Sequence, residues 1–281
     1  MKLKEHINRY EAKQSLLGIE PIYRFNIREN RVYIVVLVNT LEGYTIPDFV
    51  TDIPAFGFAK CENVRKIKLG KNTTKVHNEA FKQCDKLETV TGANNIETMG
   101  YEVFSENVSL KHIDFSDKLK VIGDNSFMNC RNLEKLPNIS NIKEIGIKSF
   151  ALCSKIKEIG LTGTTKSIRE FAFYGCGSLE KVTLGTSIDT VAEWAFGVCT
   201  KLKKVYIESD NIYIEDRAFG QCENIQLIRL DCNNIKCNLD ELIYNMGLKS
   251  HSQLTIQIKE KHKQWIENQL HGYNSIKIEY I

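Results

Sequence analysis

"SFMNC" (residues 126–130) and "AFGVC" (residues 195–199) share a Phe-x-x-Cys pattern, and their Phe residues lie three intervals of 23 apart. Stepping in 23s from either one lands on Phe58, Phe81, Phe104, Phe127, Phe150, Phe173, Phe196 and Phe219 without slippage. The third residue after each is Cys61, Cys84, Asn107, Cys130, Cys153, Cys176, Cys199 and Cys222, so Cys holds every place but one. A fixed period of this length is the mark of stacked supersecondary units, and its reading decides the fold.

Each unit has two further apolar features. Six residues after Phe begins a Leu-x-x-Ile-x-Leu pattern, as in "LKHIDF" (110–115), "LEKVTL" (179–184) and "LKKVYI" (202–207). Its closing alternation predicts a short strand with one buried face. Five residues before Phe stands Val76, Met99, Ile122, Ile145, Ile168, Val191 or Ile214. A 23-residue unit cannot bury these groups alone, whereas stacked copies can, which predicts a solenoid. Phe is then expected inside every rung with Cys packed beside it. Asn107 is expected to replace Cys because either side chain can reach a neighbouring turn's backbone. Rungs ~4.8 Å apart hold in-phase Cys residues in parallel, too far apart for the ~3.8 Å between Cβ atoms that a disulfide prefers. The thiols are therefore read as free.

The motif Ile-Gly-x-x-x-Phe-x-x-Cys-x-x-Leu, carried by "VIGDNSFMNCRNLEKL" (121–136) and in variant form by "SIREFAFYGCGSLEKVTLG" (167–185), resembles BspA-like (Treponema pallidum-type) leucine-rich repeats over about residues 41–230. The resemblance implies an α+β repeat solenoid with a parallel sheet on its concave face and caps at both ends. Residues 1–40 are expected to form the N-terminal cap, 41–231 the repeats and 232–281 the C-terminal cap. The first cap reads as helix-like "LKEHINRYEAKQSLL" followed by strands "PIYRFNI" and "RVYIVVLV" around the turn "REN". In the last, "CNLDELIYN" keeps a trace of the repeat phase before strand-like "LTIQI", helix-like "KEKHKQWIENQL" and strand-like "SIKIEYI". Members of this class are often bacterial surface adhesins, so a secreted or surface adhesin is the alternative to a scaffold inside the cell.

A net charge of +3 gives no reason to expect nucleic acid or a membrane surface as partner. The first residues lack the apolar run of a secretory signal, and "VYIVVLV" (32–38) is far shorter than the ~20 residues of a spanning helix. Nine Cys without an export signal suggest a reducing, cytoplasmic setting. The six His residues form no zinc spacing, Cys232 and Cys237 are five apart with no second pair, and the glycines form no phosphate-cradling cluster. The expectation is a non-catalytic protein without metal, cofactor or small-molecule substrate.

Positions that vary between repeats are candidates for contact. Flanking the strand's central aliphatic are Lys66, Lys68, His112, Asp114, Lys135, Glu158, Lys181, Lys204, Tyr206 and Arg229, mainly basic and expected to face outward. They read either as a solvated sheet face or as a surface for an acidic protein partner. One place earlier, Arg65, Glu88, Lys111, Glu134, Lys157, Glu180 and Lys203 alternate in sign, a charge ladder that helps fix register. On the return side Phe171, Tyr174 and Trp194 form an aromatic patch, either a second contact site or a local cluster covering itself.

Overall fold

The computed structural model describes residues 23–28, 31–36, 42–113, 115, 117–248, 253–270 and 275–281. Each 23-residue turn contributes a front strand, a shorter back strand and, between back and front, an arc centred on Phe. The front strands Gly43–Thr45, Lys66–Lys68, Thr89–Thr91 and His112–Ile113 form one parallel sheet. Glu158–Leu161, Lys181–Leu184, Lys204–Ile207 and Leu227–Leu230 begin a second, extended in the same sense by Leu254–Ile258 and Ile276–Tyr280. Equivalent residues pair one period on, as Lys66 with Thr89 and Lys181 with Lys204.

The back ladder starts with an antiparallel hairpin, Tyr23–Arg28 and Arg31–Val36, whose second strand pairs in parallel with Asp52–Ile53. Two-residue strands at Lys75–Val76 and Thr98–Met99 follow in the same sheet. A second back sheet runs from Val121–Ile122 to Asn234–Lys236. Both ladders are therefore divided near the same rung. On the front, residues 134–137 form no strand. Pro137 occupies a ladder position there, and proline has no N–H to donate.

The eight repeat Phe side chains form one interior column, each at most 2% exposed. Successive ring centroids are 5.1–5.3 Å apart with interplanar angles of 1–25°. Burial contributes about 2–3 kcal/mol per ring. All nine thiols are free.

The body of the solenoid is not α+β: between Glu42 and Asn238 the described residues include no α-helix, only strands, turns and one 3-10 turn at Ala93–Asn95. The return segment is too short for a helix once the Phe arc has taken its residues. Among the described residues, α-helices occur only after the repeats, at Leu239–Met246 and Lys263–Gln269. The first replaces the repeat-like reading of "CNLDELIYN". Its N-terminus is capped by Asn238, whose Oδ1 accepts the Glu241 N–H at 3.2 Å, and it buries Leu239, Leu242, Ile243 and Met246. The strand–helix–strand read after it is present as Leu254–Ile258, Lys263–Gln269 and Ile276–Tyr280. The helix-like N-terminal segment lies outside the described residues.

Candidate binding surfaces

The arc sets the geometry of everything around it. The N–H groups two before Phe, at Phe and two after it donate to the next turn, as Glu102, Phe104 and Glu106 do to the carbonyls of Asp124, Ser126 and Met128 at 2.7–2.8 Å. Both flanking positions adopt left-handed backbone in every turn except at Arg217, with φ of 53–65° at non-glycine residues such as Glu79, Lys148, Trp194 and Gln221. That conformation costs about 1–2 kcal/mol per residue, and here the forward hydrogen bonds hold it. Thiols complete the arc. From Cys84 to Cys222, each arc Cys donates its S–H to the Phe carbonyl of the preceding turn at 3.0–3.4 Å. Asn107 does the same through Nδ2 to Phe81 at 2.8 Å and also accepts the Cys84 N–H at 2.9 Å. Burial pushes the Cys176 thiol up to about 12, so this sulfur is a protonated core group rather than a nucleophile.

On the front, alternation turns one set of side chains inward and the other outward. Lys66, Lys68, His112, Lys135, Glu158, Lys181 and Lys204 are exposed, while Tyr206 and Arg229 are half-buried. One column runs Glu158, Lys181, Lys204, Leu227, and beside it stand Gly160, Thr183, Tyr206, Arg229. The Lys181 ammonium sits 5.5 Å from the Tyr206 ring centroid. The structure thus gathers Glu158, Lys181, Lys204, Tyr206 and Arg229 on one sheet. Lys66, Lys68 and His112 stand on the other, and Lys135 lies on the rung between them. Asp114 lies outside the described residues. Both columns continue beyond the repeats through Thr255 to Lys277 and through Gln257 to Glu279. Their alternation was visible in "LTIQI" and "SIKIEYI", but assignment to a cap hid it.

The alternating charges pair along the solenoid. Glu88 is held by Arg65 and Lys111, each at 2.9 Å, and these hydrogen bonds, Lys111's foremost, keep its carboxyl below the ordinary range. Lys203 lies 3.6 Å from Glu180.

Phe171, Tyr174 and Trp194 meet as read from sequence, but all three are half-buried. Phe171 and Trp194 are parallel within 7° at 6.4 Å, and Tyr174 meets both edge-on at 5.5 and 6.0 Å. Trp194 lies over Gly197 and Gly220, where a Cβ would fall 2.3 and 2.7 Å from its indole carbons. The cluster covers itself and the backbone beneath it. Phe56 stands at the equivalent position two before Phe58 and is 59% exposed, an aromatic of this column outside the patch read from sequence. Next to Trp194, a cavity of about 350 Å³ is lined by Glu193, Tyr213, Glu215, Asp216, Arg217 and Glu241. Among the described residues no group of three or more His, Cys, Asp or Glu side chains is placed to hold a metal ion. No described helix is long and apolar enough to cross a membrane.

A parallel β-solenoid with an invariant core and a varied outer face defines a repeat protein. The family model for the BspA type leucine rich repeat region matches residues 38–146 and 120–249, with six copies of the repeat, and the chain belongs to that family. Among solved structures it is similar to the T. pallidum leucine-rich repeat protein (14% identity, 93% of this chain and 98% of that one, TM-score 0.45). It is also similar to a leucine-rich repeat protein from Bacteroides ovatus (17% identity, 94% and 99%, TM-score 0.34). The pneumococcal vaccine antigen PcpA is a third such structure (14% identity, 92% and 97%, TM-score 0.41). No curated protein matches.

Proposed function

We propose that the chain is a non-catalytic binding module whose protein partner docks on the front face. The observation that carries this reading is the contrast within each turn: the core positions repeat, while the outward front positions vary and stand in register on a rigid sheet. Mainly basic side chains there favour an acidic partner surface, with Tyr206, beneath Lys181, as the aromatic anchor. We take this face as the concave side and residues 41–231 as the repeat unit. The N-terminal cap is taken as residues 1–40, in which the paired strands Tyr23–Arg28 and Arg31–Val36 close one end. Residues 232–281 cover the other through the apolar sides of helices Leu239–Met246 and Lys263–Gln269. Nine free thiols support a reducing, cytoplasmic setting.

The test compares wild type, Lys181→Ala/Lys204→Ala/Tyr206→Ala and Trp194→Ala as immobilised baits in the native lysate, with retained protein quantified by mass spectrometry. The triple variant is expected to retain its partner at least tenfold more weakly, about 1.4 kcal/mol. A triple variant that binds normally while Trp194→Ala loses the partner moves the site to the return side.

A further inference from the structure

The second front sheet ends at Ile276–Tyr280, which has a single neighbour, Leu254–Ile258, among the described residues. The Ile281 N–H donates to the Ile258 carbonyl at 3.0 Å. Strand alternation then turns the N–H and C=O groups of Ile276, Ile278 and Tyr280 away from the sheet, toward its open edge. Such an edge is a template for another strand.

The sequence of this strand specifies which one. We propose that Ile276–Tyr280 pairs antiparallel with the same strand of a second copy, about a two-fold axis at Ile278. In that register Ile278 faces Ile278 of the second copy, and Ile276 faces its Tyr280. These are the residues whose backbone groups point outward, so all three facing pairs are hydrogen-bonded pairs. The residues between them fall at the non-hydrogen-bonded positions, where Cα atoms approach to about 4.5 Å and side chains are closest. There Lys277 faces Glu279 of the second copy, and Glu279 faces its Lys277. Within one strand these two already meet at 2.6 Å, so the pairing repeats across the axis an ion pair the strand makes with itself. A strand with two like charges would repel its own copy. This one is self-complementary in charge as well as in hydrogen bonding.

The inner face agrees. Ile276, Ile278 and Tyr280 continue the core row of Leu254, Ile256 and Ile258. The last three are fully buried, whereas Ile276 and Ile278 are half-buried and Tyr280 is 38% exposed. A second copy would cover them from the side. Two six-stranded sheets would become one of twelve, and the front columns ending at Lys277 and Glu279 would run across the axis into the second copy. The contact is an isologous one. Its area is small, so the dimer is a concentration-dependent one.

Analytical ultracentrifugation of the full chain across the micromolar range tests this. Wild type is expected to sediment toward twice its 32.2 kDa mass as concentration rises. Glu279→Lys, which sets lysines opposite lysines, is expected to raise the dissociation constant at least tenfold. The exchange Lys277→Glu/Glu279→Lys restores opposite signs at every facing pair and should return the dimer. Ile278→Pro removes one outward N–H without touching the bonds to Leu254–Ile258, and should give a folded monomer by circular dichroism. A wild type that stays monomeric overturns the proposal. So does a dimer that Glu279→Lys leaves intact, or one that the charge exchange fails to restore.

Discussion

The Phe arc and the front ladder belong to the same turns, yet they tolerate sequence change very differently. The arc runs through all eight rungs with one ring per turn, and its forward hydrogen bonds are intact from the Phe58 turn to the Phe196 turn. The ladder breaks at residues 134–137 and resumes at Glu158. Across that break the arc still bonds, through Phe104 to Ser126 and Phe127 to Ser149, each at 2.7 Å. Continuity of the solenoid is therefore a property of the arc. The front strands add stability where their sequence allows, and their outward positions are left free to vary.

The comparison is tested hardest at alkaline pH. A thiol whose folded pKa lies above its unfolded value stabilises the fold fully below the unfolded pKa, and loses that contribution as pH rises through the folded one. Burial pushes Cys176, Cys232 and Cys237 from 9.0 up to about 12, so the window runs from about pH 9 to about pH 12. Each of these three thiols then weakens folding by about 1.4 kcal/mol per pH unit. Denaturant titrations are expected to show several kcal/mol lost between about pH 8.5 and 10.5, with a shallower slope for Cys176→Ala. Stability that stays flat over this range would break the assignment of the thiols to the core.

Truncating the ring column comes next. Phe127 is fully buried between Phe104 and Phe150 and also meets Phe115 edge-on. Phe127→Ala should cost about 3–5 kcal/mol in equilibrium unfolding, and a loss under about 1 kcal/mol would remove the arc from its central role. Asn107→Ala strands the Cys84 N–H and the Phe81 carbonyl, for a loss of about 2–3 kcal/mol. Asn107→Cys should recover part of it by returning a thiol to Phe81. On the ladder side, Lys181→Ala, Lys204→Ala and Tyr206→Ala should each change stability by no more than about 0.5 kcal/mol. A larger effect would make that face structural.

What could be read in advance follows the same division. The Phe and Cys column was legible because the core accepts one solution in every turn, and the role of Asn107 followed from its amide chemistry. Outward alternation on the front was legible too. The left-handed arc residues were not: Glu79, Lys148 and Trp194 carry no glycine-like signal, and their backbone is imposed by bonds to the next turn. Pro137 was visible as a residue, whereas the matching division of the back ladder was not. Leu239, Leu242, Ile243 and Met246 have helical spacing, but their fit to the repeat phase hid it. The covering of Gly197 and Gly220 by Trp194 depends on three-dimensional packing between turns, so sequence left the patch open between a contact site and a local cluster.

Hydrogen exchange resolved by peptide tests the central claim most directly, because it reads both regions at the one rung where they differ. The arc amides of Phe104, Phe127 and Asn129, which bond across the break, are expected to exchange only with global unfolding. The front amides of residues 134–136, on the rung without a strand, are expected to exchange far earlier. Early exchange of the three arc amides would contradict the account, since the solenoid would then be two weakly joined halves rather than one column.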